Sequence, residues 1–190
     1  MSDDLARRAA ADELLAVVGF WLDGFDRDRR RLLDAAVAAL VAGLDSATLD
    51  ELAGVDGDEE WSAVDALVLA VAQELGFPRP SLSMSVRLEL ERRCRAVLAG
   101  QMPPRSLSVW ADSVDARVME DRRFAALRPF VGFESPFDEL EDLAGVPEDG
   151  DAGETAEYRA LLEAAVREEA RRVLRGLDGH DAFPAGASDD

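Results

Sequence analysis

Between Glu59 and Gly76 the chain reads EEWSAVDALVLAVAQELG. Trp61, Val64, Val68, Val71 and Leu75 recur at spacings of three and four, which is one face of a helix. Leu67, Leu69, Ala63, Ala66, Ala70 and Ala72 fill most of the remaining circumference, leaving Ser62, Asp65 and Gln73 as a narrow polar stripe. A helix that is apolar nearly all round is normally enclosed by neighbours. The expected fold is therefore all-α, a compact bundle of about six to eight helices around this buried central helix. Asp58 is its expected N-cap, and Glu59 and Glu60 fall in the first turn, where the helix dipole favours negative charge. Gly76, followed by Pro78 and Pro80, predicts its stop.

The rest of the chain supplies partners of the same kind. Apolar stripes at helical spacing run from Asp3 to about Phe25, with Leu14, Leu15, Val18 and Leu22, and from Arg29 to about Leu44, with Leu33, Val37, Leu40 and Val41. Arg27, Arg29, Arg30 and Arg31 crowd the start of the second helix. Positive charge opposes the dipole there, so acidic neighbours in space are expected. Ser46 is a candidate cap for a short helix, SATLDELA.

After the proline-rich Gly76–Ser83 stretch, a helix to about Leu98 faces inward with Val86, Leu90, Cys94 and Val97. Glu89 with Arg93, and Glu91 with Arg95, are expected as outward i,i+4 pairs. Pro103 and Pro104 then introduce a helix with Leu107, Trp110, Val114 and Val118 as its stripe. A short helix follows at Pro136–Ala144. A last long one runs from Glu154 to Leu177, with Tyr158, Leu161, Leu162, Ala165 and Val166 inward. No alternating polar–apolar run predicts a strand. Residues 1–177 read as one helical domain, with a corner near 77–82, and 178–190 as a disordered tail.

Composition limits the chemistry. Forty acidic residues against twenty-one basic ones leave a net charge of −19 in 190 residues, and every basic residue is Arg. Lysine, isoleucine and asparagine, all with AT-rich codons, are missing, which points to a GC-rich bacterial genome, with salt adaptation as the other source of an acidic, lysine-free chain. Such charge opposes binding to nucleic-acid backbones or anionic lipid, and favours a basic protein partner. No apolar run reaches membrane-spanning length, and Asp12 and Glu13 interrupt any leader-like segment, so the expected location is cytoplasmic.

The single histidine, His180, lies in the tail, where no held geometry supports acid–base catalysis. Without lysine there is neither Schiff-base chemistry nor a P-loop. Cys94 falls on an apolar helix face and reads as core. Asp56-Gly57-Asp58 and Asp149-Gly150-Asp151 do not follow the calcium-loop spacing. No catalytic residue, cofactor or metal site is assigned, and the chain reads as non-enzymatic.

The remaining signal is charge segregation. From Glu134 to Glu154 there are nine acidic residues and no basic one, interleaved with Pro136 and Phe137. Acids beside aromatics can grip a basic protein. The candidate partner-binding residues are Glu134, Phe137, Asp138, Glu139, Glu141 and Asp142, joined by Asp58, Glu59 and Glu60. The opposing account is a solvated loop whose phenylalanines plug the core.

The run LERRCRAVLAGQMPPRSLSVWADSVDARV, followed by FDELEDLAG, resembles small helical immunity proteins of bacterial polymorphic toxin systems. In those, a helix ends in leucine, a small residue and glycine; a turn follows; and the next helix carries an aromatic–Ala pair, here Trp110-Ala111. The resemblance covers roughly Leu90 to Gly145. It does not extend to the N-terminal helices, and it assigns no binding residue. It implies a protein that neutralises a basic partner such as a toxin domain. The alternative is a self-associating helical subunit, a homodimer built on the central helix and on Phe20, Trp21 and Phe25.

Overall fold

The computed structural model describes residues 2–56, 59–77, 81–118, 121–144 and 152–178. All regular structure among them is helical. Two compact units divide the chain, 1–89 and 90–190. The division falls inside a helix rather than at the proline-rich stretch near 77–82.

In the first unit, α1 (Ser2–Leu22), α2 (Arg29–Val41), α3 (Ala47–Ala53) and α4 (Trp61–Glu74) pack in sequence, and α4 returns to α1. Leu14, Val18 and Trp21 of α1 meet Leu32, Ala36 and Ala39 of α2, Leu49 and Leu52 of α3, and Val64, Val68 and Val71 of α4. Two features differ from expectation. Helix α2 is rotated: its alanines Ala35, Ala36 and Ala39 are buried, while Val41 is 85% exposed and Val37 points outward. Small side chains let helix axes approach closely, so alanines can take the inner face at the expense of larger residues. Helix α4 is a wall of the unit and not an enclosed hub. Trp61 and Leu69 stay half-exposed, and Ala63 and Ala66 are open to solvent.

The arginines at the start of α2 do find acidic neighbours. Arg27 lies 3.6 Å from Asp65, and Arg31 lies 2.9 Å from Asp26 and 2.8 Å from Glu89. Arg27, Arg29 and Arg31 also stack over Trp21, Trp61 and Phe20, where the ring faces attract cations. Asp28 caps α2 by accepting from the Arg31 N–H, a role readable from the residue type at that position.

Ser46 caps α3, accepting from Leu49 N–H at 3.1 Å. Its hydroxyl and that of Thr48 both donate to the Glu74 carboxylate at the end of α4. Those bonds, Ser46 first, hold the Glu74 pKa below the usual carboxylate range. A depressed folded pKa gives stability that is complete above the unfolded value and is lost as pH falls through the folded one. Thermal unfolding followed from about pH 7 to about pH 3 should therefore lose stability below the ordinary glutamate range near about 4.3. In Glu74→Gln that part of the loss should disappear. An unchanged acid limb in the variant would contradict the assignment.

Helix α5 (Leu82–Leu98) carries the boundary between the units and ends at Gly100, whose φ of 72° is the left-handed conformation glycine tolerates. In the second unit α6 (Pro104–Val118) is the hub. It touches a 3₁₀ turn (Arg122–Leu127), the single-turn α7 (Arg128–Val131), α8 (Glu134–Ala144) and α9 (Ala152–Asp178). Apart from α7, eight α-helices are described. Leu107, Ala111 and Val114 are buried on α6, alongside Phe124, Leu127, Phe130, Phe137, Leu140, Val166 and Ala170. On α9, Tyr158 and Leu161 are exposed instead of inward. The tail expected to be disordered lies, from residue 179 onward, outside the described residues.

Candidate functional site

Helix α8 sorts its residues by the helical period. Phe137 and Leu140 turn into the core of the second unit, and Asp138, Glu139 and Glu141 face solvent. The buried pair holds the exposed acids on a packed element. It also removes Phe137 from the candidate contact residues, because its ring is not presented at the surface.

The acids are not all available charge. Arg105, in the first turn of α6, donates to Asp138 Oδ1 at 2.6 Å and to Glu141 Oε1. One guanidinium thus spans two carboxylates on successive turns. Glu134, at the start of α8, faces Asp112 of α6. Their hydrogen bond raises the Glu134 pKa, reinforced by burial and by the negative charges of Asp112 and Asp138, and opposed by Arg105. The exposed face of α8 is therefore a mixed surface, in which Arg105 engages Asp138 and Glu141. Asp142 belongs to the same helix, and its side chain lies outside the described residues.

Glu59 and Glu60 belong to the first unit. Both are exposed. Helix α4 begins at Trp61, with Glu60 in the cap position and no side-chain cap bond. The Glu59 carbonyl accepts from Arg29 Nη2 at 2.7 Å, and the Asp56 carbonyl accepts from Arg29 Nη1 at 3.4 Å. Asp58, the expected cap, lies outside the described residues, as does His180.

Cys94 is buried on α5, and burial followed by the Glu91 charge pushes its thiol up to about 12. It is not a thiolate nucleophile at neutral pH. Among the described residues no group of three or more His, Cys, Asp or Glu side chains is placed to hold a metal ion. No described helix is long and apolar enough to cross a membrane.

Sequence reasoning missed Arg105 and Glu89 as key charged residues. Glu89 was expected on an outward face and is fully buried. Nothing local signals either role, since the acidic partners of Arg105 are 33 and 36 residues away. No protein-family model, curated protein or solved structure matches this chain.

Proposed function

We propose that this protein is a non-enzymatic acidic binding protein that captures and neutralises a basic protein, in the manner of an immunity protein covering a toxin's positively charged channel. The observation that carries this reading is the exposed acidic face of α8, with Asp138, Glu139 and Glu141 set outward on a helix anchored by Phe137 and Leu140. The net charge of −19 adds long-range attraction to the same kind of partner. Arg105 holds two of the acids in place while leaving both more than half exposed. Preorganised charge loses less side-chain entropy on binding.

A self-associating reading would use the central helix, whose apolar face stays partly open, and the Phe20, Trp21 and Phe25 cluster. Of that cluster Phe20 and Trp21 are buried in the first unit and Phe25 is half-buried, which leaves the α4 face as the surface open to a second copy.

The test is a pull-down from lysate of the source organism at about 0.1 M and about 1 M salt, between which the screening length falls from about 10 Å to about 3 Å. A basic partner should be retained at the lower salt and released at the higher. Purified against the combined variant Asp138→Asn, Glu139→Gln, Glu141→Gln, Asp142→Asn, that partner should bind about tenfold or more weakly, with a flatter salt dependence. Retention at about 1 M salt, or equal binding to the variant, sinks the reading.

A further inference from the structure

The first unit carries a trough between α3 and α4. Its volume is about 620 Å³. The floor and walls are Gly54, Val55, Ala63, Ala66, Leu67 and Ala70, and the rim carries Glu51, Asp56 and Glu59. None of its lining residues is basic. The whole stretch from Leu32 to Pro78 holds ten acidic residues and no arginine. Arg29 reaches two of the lining residues, donating to the Asp56 and Glu59 carbonyls, and its guanidinium lies over the Trp61 ring.

The sequence pattern explains why the trough exists. Helix α4 is apolar nearly all round, yet only Val64, Val68, Val71 and Ala72 are buried. Its second apolar face, Ala63, Ala66, Leu67 and Ala70, runs at three- and four-residue spacing along the trough and borders half-exposed Leu69. A solvated helix face normally carries polar residues. This one carries small apolar residues that let another backbone approach.

We propose that this trough binds an amphipathic helix of a basic protein partner, its apolar face on the α4 alanines and its flanking arginines or lysines on Glu51, Asp56 and Glu59. The proposal rests on the reading of the chain as a binder of basic proteins and names the surface and the partner element. The occupant is helical because the walls are helices with no open sheet edge to pair with an extended strand. A helix arrives with its own backbone bonds made and offers only side chains. Helix α4 has 14 residues, a length of about 21 Å, so three to four turns of the partner suffice. Its flanks are basic because the charged residues that line the trough, Glu51, Asp56 and Glu59, are all acidic. A second copy of this chain would bring a net charge of −19 against that rim.

The test uses a fluorescein-labelled peptide of about 18 residues, leucine at i, i+3, i+4 and i+7 and arginine elsewhere, beside a scrambled peptide of equal composition. Fluorescence anisotropy with the full chain at about 0.15 M salt, where screening acts over about 8 Å, should show the amphipathic peptide binding tenfold or more tightly than the scramble. Ala66→Trp fills the trough at an exposed position without changing charge and should weaken it about tenfold, or by about 1.4 kcal/mol. Glu51→Gln with Asp56→Asn and Glu59→Gln gives a second, fold-neutral route to the same loss and should flatten the salt dependence.

Equal binding of both peptides, or no response to either set of variants, overturns the trough. If both peptides bind equally and the α8 variant abolishes binding, the trough fails while the basic-partner reading stands. If neither binds at low salt, both fail. A dimer in light scattering that Ala66→Trp dissolves would make the occupant a second copy and overturn the proposal.

Discussion

Replacing Trp21 with alanine should lower the stability of the first unit by about 3–5 kcal/mol, the range for deleting a large buried aromatic. Trp21 is fully buried at the C-terminal end of α1. Its ring stacks on Trp61 with centroids 5.4 Å apart, and Arg27 lies over it at 5.7 Å. Its indole N–H donates to Asp65 Oδ1 at 2.7 Å, and the other oxygen of that carboxylate faces Arg27 at 3.6 Å. One side chain therefore joins α1, α4 and the connection before α2.

Truncation removes the apolar contact, opens a cavity between helices and leaves Asp65 without its neutral donor. Trp21→Phe keeps most of the ring and loses the hydrogen bond, so it should cost less, on the order of 1–3 kcal/mol. Urea unfolding followed by far-UV circular dichroism measures both. The change should appear as a shift of the transition midpoint, and in both variants the remaining tryptophan fluorescence comes from Trp61 in the first unit and Trp110 in the second. A loss below about 1 kcal/mol for the alanine variant would mean that the indole is not a packed core element.

Local features were legible in the sequence, and long-range ones were not. The Ser46 cap and the Gly76 and Gly100 stops depend on residues a few positions apart, and they are where the pattern puts them. The i,i+4 pair Glu91–Arg95 also forms, at 2.5 Å. Periodicity showed where helices run but not which face wins. In α2, alanine is compatible with either side, and the close approach that buries Ala35, Ala36 and Ala39 is decided by neighbouring helices. In α4, an apolar circumference implies that neighbours are favourable without determining how many this chain supplies.

The candidate site follows the same division. The amphipathic split of α8 was readable, which is why Asp138, Glu139 and Glu141 are outward as expected. Phe137 could be assigned to partner or core only once α6 and α9 were in place beside it. Arg105 was invisible because its meaning lies across a helix–helix contact. The arginines at the start of α2 are the informative exception. Their conflict with the dipole predicted acidic company, and Asp26, Asp65 and Glu89 provide it.

The second large effect should come from Glu89, a carboxylate with no solvent exposure whose Oε2 lies 2.8 Å from Arg31 Nη2. The contact is a close ion pair without hydrogen-bond alignment at that nitrogen. Arg31 is partly exposed and also reaches Asp26 and the Phe20 ring. Breaking a buried pair by removing one partner costs about 3–5 kcal/mol, because the remaining charge stays desolvated. Glu89→Leu should sit at the lower end of that range, since Arg31 keeps Asp26 and some water. Arg31→Met should also fall in that range, since it takes a cation away from a carboxylate with no solvent exposure.

The double variant Arg31→Met/Glu89→Leu removes both charges and fills the space with apolar side chains of similar size. It should be less destabilised than the sum of the two singles by at least about 1 kcal/mol, and close to the parent in stability. Denaturant unfolding of the four proteins closes the cycle. Additive losses would show that the two charges do not interact across the gap. A near-parental double variant would show that the pair adds little net stability.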